Sequence, residues 1–134
     1  MKRPRIIALV YEGVSLSYRE LNEKSNQLAR HIRSQYKRKT SQEIEPDTLI
    51  ALCLDRSLEL IIGILGVLKA GGAYVPIDPS YPQERIDYIL ADTNAEIVLS
   101  QRQVVASGEA RLAAGQVIYI DLSGDLYQTE ARAN

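Results

Sequence analysis

The chain has 134 residues, 46% of them hydrophobic and 25% charged, with a formal net charge of −1. This length fits one domain with a substantial core, and the composition is typical of a globular protein that folds in water. A single cysteine and a single histidine exclude an internal disulfide and the usual zinc clusters. The longest apolar run, residues 60–68, is too short to span a membrane.

Charge is distributed unevenly along the chain. Residues 1–40 carry ten Lys and Arg against three Glu, whereas the rest carries six against fourteen acidic residues. The basic run at residues 37–39 fits a nucleic-acid patch or the C-terminal end of a helix, where cations are favoured, and we favour the helix end. The basic and then apolar start resembles a secretion signal, but its apolar part is only about six residues long and no cleavage site follows. The sequence therefore predicts a cytoplasmic protein.

Predicted strands and helices alternate along the chain. Glu12 and Gly13 suit a hairpin turn between the first two strands. Ser17 and Glu20 have the spacing of a capping box, which predicts that the first helix begins at Ser17. The predicted strands cover residues 6–11, 14–18, 49–54, 73–77, 95–99 and 116–122, and the predicted helices cover residues 17–39, 57–68, 82–92 and 101–114.

This order of elements predicts the fold class. A strand followed by a helix, repeated several times, is typical of an α/β fold with a largely parallel sheet. The sequence shows no internal repeat and no low-complexity segment. We expect one domain over residues 1–122, followed by a polar and loose tail at residues 123–134.

The stretch LKAGGAYVPIDPSYPQER, residues 68–85, concentrates the local signals. The helix before it is apolar nearly all round, which predicts burial. Gly63 and Gly66 are expected on one side of that helix, where they would admit a neighbouring backbone. Gly71 suits a left-handed helix cap, and Lys69 suits the negative end of the helix. The prolines that follow limit strand pairing, and Ser80 is a candidate cap for a helix that begins near residue 82.

The residues alone predict no catalytic constellation. A phosphate-binding loop needs glycines before a helix, but the turn at residues 55–57 is Asp-Arg-Ser, and Gly71 and Gly72 follow a helix instead. The lone His31 lies in a predicted surface helix, which favours a solvated side chain over a catalytic base. The carboxylates that could act as acid and base show no spacing that pairs them; they are Asp78, Asp87 and Asp92. We therefore predict no catalytic, cofactor-binding or metal-binding residue.

Two motifs resemble a known family. Residues 15–22, SLSYRELN, resemble the first core motif of the amino-acid-adenylating domains of nonribosomal peptide synthetases. Residues 68–81 resemble the second core motif, which is specific to that branch, whereas other acyl-activating enzymes share the first. LDRS at residues 54–57 and DYILAD at residues 87–92 follow the family's order and spacing. The resemblance covers about residues 6–122.

The resemblance implies the N-terminal part of the large subdomain of an adenylate-forming enzyme. The family activates an amino acid with ATP and magnesium, forms an aminoacyl adenylate and passes the aminoacyl group to the phosphopantetheine thiol of a carrier domain. In the family, the phosphate loop resembles TSGSTGxPKG and lies downstream of both motifs, as do the amino-acid pocket, the ribose-binding aspartate and the catalytic lysine. None of these has a counterpart among the 134 residues.

Two functional hypotheses follow. The first is an N-terminal piece of an adenylation domain, from an ATP-dependent amino-acid ligase family, that is catalytically silent and needs no cofactor on its own. The alternative is a non-catalytic binding or assembly module. Its partners would be the rest of the domain, neighbouring carrier or condensation domains or an MbtH-like protein. We expect it to bind neither nucleic acid nor a membrane. Self-association through an unpaired sheet edge is a further expectation. A small nucleotide-binding protein of another family is a weaker third option, because no phosphate loop occurs.

Overall fold

The computed structural model describes residues 7–11, 13–108, 110–112, 117–122 and 126. The described strands and helices alternate as the sequence predicts. In chain order they are β1 (Ile7–Tyr11), β2 (Val14–Ser17), α1 (Tyr18–Thr40), β3 (Leu49–Cys53), α2 (Leu58–Ala70), β4 (Ala73–Ile77), α3 (Gln83–Thr93), β5 (Val98–Ser100), α4 (Arg102–Ala106) and β6 (Val117–Tyr119).

The first part of the chain forms a hairpin and a long helix. Strands β1 and β2 pair antiparallel, and Gly13 between them has a φ of 79°, which glycine adopts without strain. The predicted capping box is confirmed: the backbone N–H of Glu20 donates to Ser17 Oγ at 3.1 Å, and the N–H of Ser17 donates to Glu20 Oε1 at 2.9 Å. Helix α1 begins at Tyr18 and ends at Thr40, because Ser41 follows in the left-handed conformation.

The remaining four strands form one parallel sheet in the order β4-β3-β5-β6. This confirms the predicted α/β fold with a parallel sheet. Strand β3 lies inside the sheet and is buried on both faces over residues 50–53. From β3 the chain crosses to β4 on one side, and it then returns across β3 to β5 on the other side.

Helices cover both faces of the sheet, so the domain has three layers. Ile50 and Leu52 point to the face that α1 and α2 cover, and this core also includes Leu28, Ile32, Ile62, Val67 and Leu99. Ala51 and Cys53 point to the opposite face, where they pack with Ile77, Ile86, Val98 and Val104. Cys53 is buried in that second core, where it packs as a small side chain among apolar neighbours.

The two glycines of α2 bring the helix close to two different layers. A Cβ atom on Gly63 would lie 2.8 Å from Leu52 Cδ2, a sheet side chain, and one on Gly66 would lie 2.6 Å from Leu28 Cδ2 of α1. The expectation that both glycines admit one neighbouring backbone is therefore wrong. Each one admits a leucine side chain, from the sheet in one case and from α1 in the other.

The second half of the chain departs from the predicted boundaries. Ser80 does not cap α3, because its N–H and Oγ both donate to Asp78 Oδ1, at 2.9 and 2.8 Å, and Pro82 occupies the cap position without a side-chain hydrogen bond. Helix α4 is much shorter than the predicted residues 101–114, since Gly108 turns the chain with a φ of 77°. The predicted tail at residues 123–134 lies outside the described residues, apart from Leu126. Within the described ranges, no helix combines the length and hydropathy that crossing a bilayer requires.

Candidate functional site

The strand order indicates where a ligand would bind in a sheet of this type. The helix that follows β3, α2, covers one face of the sheet, whereas the helix that follows β5, α4, covers the other. The carboxyl ends of β3 and β5 therefore form a topological switch point, the position at which doubly wound sheets bind ligands. We call the space between the loop at residues 54–57 and the carboxyl end of β5 the switch-point crevice.

The side chain of Gln101 occupies the switch-point crevice. Only 4% of this residue is exposed. Its Oε1 accepts a hydrogen bond from the backbone N–H of Asp55 at 3.0 Å, and its Nε2 donates to Ser57 Oγ at 3.4 Å. Below it, Ser100 Oγ donates to the carbonyl of Cys53 at 2.8 Å. Gln101 thus takes the backbone N–H donor of Asp55 that a bound anion would use.

The N-terminus of α2, which faces the crevice, is capped by the protein itself. Ser57 Oγ accepts from the N–H of Leu60 at 3.3 Å and donates to the carbonyl of Asp55 at 3.0 Å. The loop lacks the glycines that would let several backbone N–H groups converge on a phosphate. The residues at this end of the sheet therefore do not fit the triphosphate of ATP.

An open cleft of ≈ 360 Å³ lies beside the crevice, at the carboxyl ends of β3 and β4. Its charged groups are Asp55, Arg56 and Asp78, and its other lining residues are Leu52, Leu54, Leu60, Pro76, Ile77, Pro79 and Tyr81. Asp55 accepts from Gln103 Nε2 at 3.3 Å, and the two hydrogen bonds from Ser80 hold the pKa of Asp78 below its ordinary value. Both carboxylates of the cleft are therefore engaged in local hydrogen bonds.

Of the three carboxylates considered as acid and base, Asp92 is exposed on α3, and Asp78 and Asp87 are engaged locally. Asp78 accepts from Ser80, as described, and Asp87 accepts from Gln83 Nε2 at 2.7 Å on the same helix. His31 is partly buried on α1. In the part of the chain that the structure describes, no group of three or more His, Cys, Asp or Glu side chains is placed to hold a metal ion. The geometry therefore adds no catalytic role for these residues.

A polar cluster that the sequence analysis missed joins α1 to α2. Lys69 Nζ lies 2.8 Å from Asn22 Oδ1, 2.7 Å from Ser25 Oγ and 2.9 Å from Asn26 Oδ1. The carbonyl of Lys69 accepts from Arg33 Nη1 at 3.1 Å. Burial in this cluster lowers the pKa of Lys69. The available signal was the spacing of residues 22, 25 and 26, which places three oxygen-bearing side chains on one face of a helix.

This cluster also connects the two sequence motifs. Asn22 closes the first motif at residues 15–22, and Lys69 stands near the start of the second at residues 68–81. A hydrogen bond between them means that the two motifs form one packed unit, although about 45 residues separate them in the chain. The motifs therefore mark a contact between helices at this position.

Comparison with known proteins identifies the family. The model of the AMP-binding enzyme family matches residues 1–133. The chain belongs to the AMP-binding enzyme family. Among curated members, tyrocidine synthase 3 from Brevibacillus parabrevis is 47% identical over 133 residues, which are 99% of this chain and 2% of that protein. This chain therefore spans only a small part of the curated AMP-binding relatives that it matches.

Solved structures place the same fold inside adenylation domains. The AMPPNP-bound nonribosomal peptide synthetase FmoA3 superposes with a TM-score of 0.81 at 29% identity, over 97% of this chain and 13% of that one. The N-terminal subdomain of Klebsiella oxytoca NpsA superposes with a TM-score of 0.68 at 25% identity, over 98% of this chain and 31% of that one. The chain thus resembles the N-terminal region of an AMP-binding adenylation domain.

Proposed function

We propose that this chain supplies the N-terminal scaffold of a nonribosomal peptide synthetase adenylation domain. The complete domain would activate an amino acid with ATP and magnesium as an aminoacyl adenylate and pass it to the phosphopantetheine of a carrier domain. The observation that supports a scaffold role is the switch-point crevice, because Gln101 fills the position that a ligand would take. The Lys69 cluster supports the same role, since it ties the two family motifs together.

Residues 1–134 are catalytically silent on their own in this proposal. They carry no catalytic, cofactor-binding or metal-binding residue, and ATP, magnesium and the carrier thiol would meet other parts of the domain. Carrier and condensation domains or an MbtH-like protein are the proposed partners, because the curated relatives are far longer than this chain. The proposed location is cytoplasmic.

Amino-acid-dependent ATP–pyrophosphate exchange tests this function. We expect no exchange above background with the purified 134-residue chain and each of the twenty amino acids. A fusion to the part of the tyrocidine synthase 3 adenylation domain that follows the matched region should restore exchange. Clear exchange by the chain alone would contradict catalytic silence, and a folded but inactive fusion would contradict the scaffold role.

A binding or assembly module is the second candidate function. Its support is an apolar face of α2 that the described residues leave partly exposed, with Leu68 52% exposed. Association through the outer edge of β4 is less favourable. Ala73 donates its N–H to Thr48 of the loop before β3, and the N–H groups of alternate residues along a strand point to opposite sides. The nitrogen of Pro76 therefore points away from β3. Because proline has no N–H, this position offers no donor to a new strand.

A further inference from the structure

The side-chain oxygen atoms around Lys69 match the donors of its ammonium group. Lys69 Nζ donates to Ser25 Oγ at 2.7 Å, to Asn22 Oδ1 at 2.8 Å and to Asn26 Oδ1 at 2.9 Å. An ammonium group has three N–H donors and no acceptor, so each donor has one side-chain oxygen. The backbone carbonyl of Asn22 lies farther away, at 3.4 Å. We call Asn22, Ser25 and Asn26 the ammonium cage.

Helix α1 sets the orientation of the ammonium cage. The Ser25 hydroxyl lies 2.8 Å from the carbonyl of Leu21 and 3.1 Å from that of Asn22, and it donates its proton in that direction. The lone pairs of Ser25 Oγ are therefore left to accept from the cation. Residues 22, 25 and 26 share one face of the helix, and Ser25 and Asn26 are buried. The cage is thus built into α1, whereas its occupant comes from α2.

The chemistry of the ammonium cage favours a primary ammonium ion. A guanidinium is planar and holds its five N–H donors in a fixed fork, so it cannot direct three donors from one nitrogen. A quaternary ammonium ion has no N–H donor. In the described part of the chain, Lys69 forms no salt bridge with a carboxylate. Hydrogen bonds to uncharged oxygen atoms therefore hold the cation, and a positive charge without donors would not bind equally well.

The ammonium cage is accessible from solvent. Asn22 is exposed, and Lys69 is partly exposed. Shortening residue 69 to alanine would remove the atoms from Cγ to Nζ and leave a path from solvent to the cage. An ethylammonium ion has the size of the missing Cδ, Cε and Nζ. It leaves the position of Cγ empty, which gives the van der Waals separation that two unbonded carbon atoms need.

We propose that Asn22, Ser25 and Asn26 form a binding site for a primary alkylammonium ion. In the wild-type chain the side chain of Lys69 is the ligand, and in a chain with alanine at position 69 a free short-chain alkylammonium ion takes its place. The proposal does not depend on the proposed function, because it concerns the contact between α1 and α2 alone. It assigns a ligand class to a polar cluster that has no part in catalysis.

Chemical rescue of Lys69→Ala by ethylammonium chloride tests the proposal. The stability of the 134-residue chain is measured by urea denaturation, followed by circular dichroism. Because the free ion lacks the tether of the lysine side chain, it is supplied at concentrations up to about 0.2 M. Tetramethylammonium chloride at the same concentration controls for charge and ionic strength. The matched control variant is Lys37→Ala, which removes a lysine whose side chain is exposed and pairs with the exposed Glu43.

We expect ethylammonium to stabilise Lys69→Ala and tetramethylammonium to have no such effect. At five times its dissociation constant, the ligand should raise the folding equilibrium constant of this variant about sixfold by mass action. The wild type, whose cage is filled, and Lys37→Ala should show no gain. A response of the same size in all three chains, an equal response to tetramethylammonium, or no response of Lys69→Ala would each overturn the proposal.

A measurement on the wild-type chain covers the case in which Lys69→Ala does not fold. The ammonium protons of each lysine are observed by ¹⁵N–¹H correlation spectroscopy. Those of Lys69 should exchange with water more slowly than those of the exposed Lys37, because three oxygen atoms hold them. Ser25→Ala should accelerate exchange at Lys69 and leave Lys37 unchanged. Equally fast exchange at both lysines in the wild type would contradict a formed ammonium site.

Discussion

The ammonium of Lys69 donates a hydrogen bond to the side-chain oxygen of Asn22 at 2.8 Å. This contact lies between the last turn of α2 and the first turns of α1, and Ser25 and Asn26 complete the shell of oxygen atoms around the ammonium. Ser25 and Asn26 are both buried. The lysine therefore donates hydrogen bonds to side-chain oxygen atoms that α1 buries.

Replacing Lys69 by methionine should destabilise the domain. The change keeps the length of the side chain but removes the charged donor to Ser25 Oγ and Asn26 Oδ1, and a hydrogen bond to a charged group contributes about 1.5–3 kcal/mol. We expect a loss of that size in the free energy of unfolding, measured by urea denaturation. The control is Lys37→Met, because Lys37 pairs with Glu43 where both side chains are exposed, and such pairs contribute less than about 1 kcal/mol. Equal losses in the two variants would contradict a special role for Lys69.

The stability difference between the wild type and Lys69→Met should depend on pH. Burial lowers the pKa of Lys69, so the folded chain releases this proton at a lower pH than the unfolded chain does. Between that lowered pKa and the ordinary lysine value of about 10.4, the unfolded state binds more protons, and stability rises with pH. The wild type should therefore gain stability relative to Lys69→Met as the pH rises through this window. A difference that shrinks instead would mean that hydrogen bonding outweighs desolvation and raises the pKa.

The two glycines of α2 should respond differently to alanine. At position 66 the new methyl group would lie 2.6 Å from Leu28 Cδ2 and 3.2 Å from Leu28 Cβ, and the Cβ cannot rotate away. Overpacking costs about 1–3 kcal/mol, against a gain of about 1 kcal/mol in helix propensity, so Gly66→Ala should be destabilising. At position 63 the nearest atom, 2.8 Å away, is the end of the Leu52 side chain, which can move, and Gly63→Ala should be close to neutral. Urea denaturation of both variants measures the contrast, and a reversed order would contradict this account of the helix contacts.

Gln101→Ala should loosen the loop at residues 54–57. The substitution removes the acceptor of the Asp55 N–H and leaves space in the switch-point crevice, at a cost of about 1–3 kcal/mol. Hydrogen exchange at the Asp55 amide should become faster in the variant, because that amide loses its partner. Gln103→Ala is the control, since Gln103 is exposed and contacts the Asp55 carboxylate, not its amide. Unchanged exchange at Asp55 in Gln101→Ala would show that Gln101 does not hold the loop.

Features that depend on neighbouring residues could be predicted from the sequence. The capping box of Ser17 and Glu20 satisfies two backbone groups within one turn, so its spacing alone reveals it. The left-handed conformation of Gly71, with a φ of 96°, is also a local feature, because a residue without a side chain adopts it without strain. The parallel sheet could be predicted from the repeated order of strands and helices, because short connections between successive elements leave few possible topologies.

Features that depend on distant residues could not be predicted in this way. Gln101 reaches residues more than 40 positions earlier in the chain, and only the pairing of β3 with β5 brings them together. In the sequence, Lys69 is a typical cation at the end of a helix, and only the packing of α1 on α2 brings it into contact with Asn22. Ser80 was expected to cap α3, but Asp78 competes for both of its donors through a shorter loop. The sequence could identify the family from its motifs without revealing these contacts.

Strand β3 alternates between large side chains, Ile50 and Leu52, and small ones, Ala51 and Cys53, while both of its faces are buried. In a sheet with one solvent-exposed face, polarity fixes the register, because a slip by one residue would expose the apolar side chains to water. Here both sets are apolar, and polarity cannot distinguish the correct pairing from a slipped one. Side-chain volume makes that distinction, since a slip would force leucine-sized groups into the space of alanine on one face and leave voids on the other. The register of the central strand is therefore encoded in size.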